Sequence, residues 1–127
     1  MKYLGIDWGE KRIGLALADE ETRLALPFMT VGSLAEVERV IREEEVGVIV
    51  LGQPLKLNPG SELNPRWQEF KNALEQRTRL PLNLIDERLS SKGADALFGP
   101  KSVKAGRDEI AAASILQEFL DRQALSV

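Results

Sequence analysis

The sequence predicts an α/β fold: a mixed five-stranded sheet, made of a three-strand antiparallel meander plus two parallel strands, flanked by helices. Three observations carry this. Apolar stretches at about residues 2–8, 12–18 and 22–30 are joined only by short polar turns, the pattern of a meander. The run Gly47-Val48-Ile49-Val50-Leu51-Gly52 is short and continuously apolar, as in a strand covered on both faces. A helical pattern separates it from another apolar segment, Leu82 to Ile85, and such a strand–helix–strand crossing makes the two strands parallel with a right-handed connection.

The elements follow in order. Tyr3, Leu4 and Ile6 mark the first strand, and Ile13 to Ala18 the second, which ends at Asp19. Pro27 lacks an amide donor, so the third strand belongs at a sheet edge or beside a bulge. Ser33 is placed to cap the first helix, with Glu36 completing a capping box. Leu34, Val37, Val40 and Ile41 recur there at helical spacing. Residues 53–63 contain two Pro and a Gly and read as a loop. Asn64 and Pro65 then form an N-cap and first helical position, and Trp67, Phe70 and Leu74 share the buried face of that helix. Ser90 to Leu97 reads as a short helix stopped by Gly99-Pro100, and a last helix runs from about Arg107 to Arg122. No repeat, linker or composition shift interrupts the chain, so 1–127 is expected to be a single domain. That length can bury roughly two thirds of its unfolded surface.

Composition narrows the chemistry. There is no Cys, hence no disulfide framework and no thiolate metal site. There is no His either, which removes Ser-His-Asp and Cys-His triads and imidazole zinc sites. Catalysis must rest on carboxylates, Lys, Arg, Tyr, Ser or Thr, and any metal must be held by oxygen, which suits magnesium or manganese. No apolar run approaches membrane length and no basic-then-apolar leader precedes the first strand, so a cytoplasmic protein is expected. The net charge of −3 argues mildly against a generic nucleic-acid binder. The charge is uneven, however. Arg88, Lys92, Lys101, Lys104 and Arg107 face only Asp95, whereas Glu36, Glu38 and Glu43 to Glu45 make the first helix acidic. By itself the basic stretch reads more readily as a solvated loop.

Acids converge on one edge. In open α/β sheets the functional crevice lies beyond the carboxyl ends of the parallel strands. If the first strand runs with them, that edge receives Asp7, the Gly52-Gln53 turn and Asp86-Glu87. Asp108 shares a helix face with Ala112, Ile115 and Phe119, and Ala111 to Ala113 would let that helix approach the sheet closely. Each acid also has a plain structural reading. Asp7 can close a tight turn beside glycine, Asp86 and Glu87 can pair with Arg88, and Asp108 can stabilise a helix N-terminus by about 0.3–1 kcal/mol. Clustered carboxylates, by contrast, need a cation to coexist ionised.

The stretches GIDWGEKRIGLALAD, VIVLGQPL, LIDERLSS and RDEIAAASILQEFLD together resemble the YqgF/RuvX family, in order and over nearly the whole chain. These are bacterial RNase H-like nucleases associated with Holliday junction resolution and with 5′ maturation of pre-16S rRNA. The resemblance implies an RNase H-like fold and a catalytic triad of Asp7, Glu87 and Asp108 that binds Mg2+ or Mn2+. It further implies phosphate contacts by Lys11, Arg12 and Arg88. Lys101, Lys104 and Arg107 of the basic stretch are expected to extend that substrate path. Asp19 matches a recurrent family acid, and strand-end capping explains it almost as well.

The implied partner is nucleic acid, either pre-rRNA or branched DNA, with no membrane. A junction cleaver would need two active sites and hence a homodimer. Gln53 stands where an apolar residue is usual and Ser90-Ser91 where Thr is common, and the segment between Ser91 and Asp108 is shorter and less basic than in many relatives. These departures leave the acid triad intact and bear on substrate choice and affinity. Two rival readings are a non-catalytic nucleic-acid-binding module of the same fold and an actin-like phosphotransferase. The second is disfavoured by Glu10-Lys11-Arg12 after the Asp-x-Gly, and by a chain too short for a two-lobed cleft.

Overall fold

Apolar residues on both faces of the first two strands place them inside the sheet, and they pair antiparallel along their whole length in a computed structural model. It describes residues 1–54, 64–86 and 106–125. Strands β1 (Lys2–Trp8) and β2 (Ile13–Asp19) run from Lys2 opposite Asp19 to Trp8 opposite Ile13. Strand β3 (Leu26–Val31) adds antiparallel to β2, while β4 (Val46–Gln53) and β5 (Leu82–Asp86) add parallel on the other side of β1. The resulting order is β3-β2-β1-β4-β5, which is the expected meander plus parallel pair. Pro27 meets both of its expected conditions. β3 is an edge strand, and Phe28 is bulged out between the pairs Leu15–Met29 and Ala16–Pro27.

The third strand starts later than its apolar pattern predicts. Asp19 accepts a hydrogen bond from the Glu21 amide at 2.9 Å, which closes a turn, and Arg23 takes a left-handed conformation with φ of 53°. The Arg23 guanidinium donates to the Leu120 carbonyl and to Gln123, and the Ala25 amide donates to Gln117. Residues 23–25 therefore bind the last helix instead of extending the sheet. Asp19 is a turn-closing residue at the end of the sheet opposite to Asp7, since it pairs with Lys2.

Helix α1 (Leu34–Glu43) is capped by Ser33, whose hydroxyl accepts from the Glu36 amide. The Glu36 carboxylate accepts from the Gly32 amide, one residue earlier than a standard capping box predicts. Helix α2 (Pro65–Thr78) starts at Asn64, whose side chain accepts from the Arg66 amide at 2.8 Å, with Pro65 in the first turn as expected. Both helices cover one sheet face, where Leu4, Ile6, Leu15, Ile49 and Leu51 meet Val37, Trp67, Phe70 and Leu74. Helix α3 (Arg107–Leu125) covers the other face, where Tyr3, Ala16, Val50 and Ile85 meet Ala112, Ile115, Leu116 and Leu120. It continues past the expected end at Arg122. An Arg122–Glu118 ion pair at 3.0 Å and the Arg23–Gln123 hydrogen bond hold its last turn.

Gly5 shows how closely α3 lies on the sheet. A Cβ there would fall 2.7 Å from Leu116 Cβ and 2.8 Å from the Ala112 carbonyl oxygen. The close approach expected from Ala111 to Ala113 is thus matched by missing side chains on the strands. Of the loop expected at 53–63, Gln53 instead ends β4, and residues 55–63, like the short helix expected at 90–97, lie outside the described residues. No described helix is long and apolar enough to cross a membrane.

Candidate metal and nucleic-acid site

The site begins with strand register. Asp7 is the penultimate residue of β1 and pairs with Gly14 of β2, which in turn pairs with Thr30 of β3. Side chains alternate along a strand, so Tyr3, Gly5 and Asp7 share the face covered by α3. The first turn of α3 rests on Gly14. A Cβ there would lie only 2.0 Å from the Asp108 carbonyl oxygen and 2.9 Å from Asp108 Cβ. The helix start is therefore fixed on the cross-strand neighbour of Asp7, and two acids separated by most of the chain become neighbours.

Around them are further polar groups. Arg12 Nε lies 3.2 Å from Asp108 Oδ2, with the Asp108 side chain one-third exposed. Arg12 lies in the turn between β1 and β2, which Glu10 anchors through Arg66 at 3.6 Å and Asn64 at 3.3 Å. Thr30 Oγ1 donates to Glu109 Oε1 at 3.1 Å, which ties the residue after Asp108 to β3. Lys11 and Arg107 are exposed on either side, on the turn and on the first residue of α3. Asp86 ends β5 opposite Gln53.

Of the residues the sequence singles out, the structure brings together Asp7, Asp108 and Arg12, with Lys11 and Arg107 at the same end. Glu87, Arg88, Lys101 and Lys104 lie outside the described residues. Among the described residues no three acids form a group able to hold a metal. Gly14, Thr30 and Glu109 were not anticipated. An isolated glycine within a strand pattern is a known mark of close backbone approach, so Gly14 carried a usable signal. The Thr30–Glu109 bond carried none.

This architecture is the RNase H-like fold. The structure aligns with a Thermus thermophilus RuvC bound to a Holliday junction substrate at a TM-score of 0.70 and 14% identity, covering 98% of this chain and 96% of that one. It aligns with the large terminase nuclease of the thermophilic phage G20c at a TM-score of 0.58 and 10% identity, covering 93% and 81%. At those identities the likeness concerns the fold. Sequence places the chain more narrowly: residues 1–122 match the model of RuvX, described as Holliday junction resolvase, and the chain belongs to that family. A protein of Anaeromyxobacter sp. (strain Fw109-5) named "Putative pre-16S rRNA nuclease" is 38% identical over 95% of this chain and 97% of its own. One of the same name from Maridesulfovibrio salexigens is 37% identical over 96% and 99%.

Proposed function

We propose that this protein is a metal-dependent nuclease that hydrolyses phosphodiester bonds in the cytoplasm, acting in 5′ maturation of pre-16S rRNA. One observation carries the reading: the Asp108 turn of α3 is seated on Gly14, directly across from Asp7. Family membership and the names of its full-length relatives support it.

The donor set fits a hard divalent cation. Every candidate ligand is a carboxylate, and Asp108 already draws a positive group, the Arg12 guanidinium, to its side chain. Asp7, Glu87 and Asp108 would hold Mg2+ or Mn2+. Bound there, the ion supplies Lewis-acid stabilisation of charge on the reacting phosphate and lowers the pKa of water. The chain's own basic residues hold the polymer. Lys11, Arg12, Arg88, Lys101, Lys104 and Arg107 neutralise backbone phosphates and set the position of the strand without reading its sequence.

A side-by-side assay tests the function. With Mg2+ or Mn2+, 5′-extended 16S precursor RNA is expected to be cut at a higher kcat/KM than a four-way DNA junction. The reverse order would support the second reading, a junction resolvase, which the family description favours and which would operate as a homodimer. Failure to cut either would leave a nucleic-acid-binding module.

Trp8 reports on the metal. It follows Asp7 and packs against Phe70 with ring centroids 6.3 Å apart. Titration of Mn2+ into Trp67→Phe protein, in which Trp8 is the remaining tryptophan, is expected to change its emission. A flat titration alongside normal cleavage would place the metal elsewhere.

Salt dependence tests the basic path. Nucleic-acid affinity is expected to fall steeply with salt. Replacing Lys101 and Lys104 by Ala should reduce the slope by up to ~2, at ~0.7–0.9 per phosphate contact. An unchanged slope would return these lysines to solvated surface.

A further inference from the structure

Helix α2 carries a neutral stripe. Gln68, Asn72 and Gln76 recur every four residues and are all exposed, so they line one side of the helix. Most other exposed positions of this helix are charged, namely Arg66, Glu69, Glu75 and Arg77. At the upper end of the stripe is a cleft of about 240 Å³, walled by Gln68, Asn72 and Lys71 of α2 and by Gln53 and Leu84 of the sheet, with Trp67 beneath. Trp67 is buried and its indole N–H donates to the Gly52 carbonyl at 3.1 Å, which fixes the floor against the end of β4. Leu84 is 39% exposed on the edge strand β5.

The position ties this cleft to the acids. Ile6 pairs with Leu51, so Gln53 ends β4 level with Trp8, one residue beyond Asp7. Adjacent strands are only about 4.8 Å apart. Gln53 points to the α2 face and Asp7 to the α3 face, so a strand held at the acids reaches the cleft by crossing the ends of β1 and β4.

The chemistry of the walls selects the occupant. Among the described residues Lys71 is the one cation lining the cleft, and its Nζ is engaged by Glu75 at 2.6 Å, so this lining offers phosphate little. Amide side chains each offer a donor and an acceptor, which match the edges of heterocyclic bases. Those edges are free in single strands and engaged in duplexes. We infer that the cleft between α2 and β5 is a subsite for an unpaired base of the substrate, close to the phosphate that the basic residues beside Asp7 and Asp108 would hold. The inference rests on the nuclease reading and deepens it, since such a subsite favours a single-stranded extension over the paired arms of a junction.

Fluorescence anisotropy tests it with the intact protein in EDTA, where no cleavage occurs. The probes are a short labelled single-stranded RNA, an abasic strand of equal length, and the same RNA as a duplex. Wild type is expected to prefer the base-bearing strand over the abasic one by roughly tenfold, the scale of two or three net hydrogen bonds. The Gln53→Ala/Gln68→Ala/Asn72→Ala variant should lose that preference and bind the abasic strand and the duplex as wild type does. All three positions lie outside the buried core, and circular dichroism verifies the fold. A wild type without the preference, or a variant that keeps it, overturns the subsite. Cleavage by wild type, recorded separately with Mn2+, separates the two failures. Intact cleavage without base preference rejects the subsite alone, whereas absent cleavage together with absent binding rejects both.

Discussion

Asp7→Asn protein is expected to fold as wild type does and to lose cleavage by roughly 10²–10³-fold or more, the scale on which a single preorganised charge-stabilising group acts. The substitution preserves size and the β1–β2 ladder around Gly14 while removing one negative charge from a site built to hold cations. Thermal unfolding should change little, because Asn keeps the size and an acceptor oxygen at that position, and loss of repulsion from a neighbouring acid offsets part of any charge-assisted bond that is lost. Asp108→Asn should match it in activity but also release Arg12, whose ion pair is exposed and worth little to stability. Full activity in folded Asp7→Asn protein would remove the metal assignment. Full activity in Asp108→Asn alone would leave that acid as a helix-end charge.

Gly14→Ala is expected to be nearly as damaging, by a different route. The added methyl would lie 2.0 Å from the Asp108 carbonyl oxygen and 2.3 Å from its carbonyl carbon, both backbone atoms that cannot rotate away. Either the first turn of α3 lifts or β2 bends, and overpacking of this kind costs about 1–3 kcal/mol. Lifting the turn also carries Asp108 away from Asp7 and strains the Thr30–Glu109 bond. A lowered melting temperature together with weakened Mn2+ binding is the expected pair of results. Gly47→Ala is the control: the three atoms nearest its Cβ all belong to the Met1 side chain, which can rotate away, so stability and metal binding should both survive. Equal behaviour of the two variants would show that Gly14 does not seat the helix.

Much of this was legible in the residues because local signals and long-range packing agree. Ser33, Asn64 and Pro65 mark helix starts through bonds made within a few residues, and each appears in place. The run from Gly47 to Gly52 reads as a buried strand because it is apolar on both faces, and it lies between two other strands. The third strand was misjudged at its start for the opposite reason. Thr22 to Ala25 is locally compatible with a strand, yet partners some ninety residues away on α3 take its hydrogen bonds. Asp108 was legible from its helical spacing with Ala112 and Ile115. Its neighbourhood was not, since register alone sets Gly14 beneath it and Asp7 beside it. Arg12 is expected at phosphate, and its pairing with Asp108 depends on where a helix ninety-odd residues later begins.

The seating of α3 on β1 and β2 has a consequence in time. Asp7 belongs to β1 and Asp108 to α3, about a hundred residues later, so the seating of α3 on Gly14 that brings them to one place is highly non-local. Closing such a contact is slow compared with forming a hairpin such as β1–β2. In refolding, the β1–β2 hairpin with Asp7 near its end is therefore expected to form before residues 107–125 dock on it. The two acids would stand apart until that face of the sheet is covered, so the ability to hold a cation would be the last property the folding chain acquires.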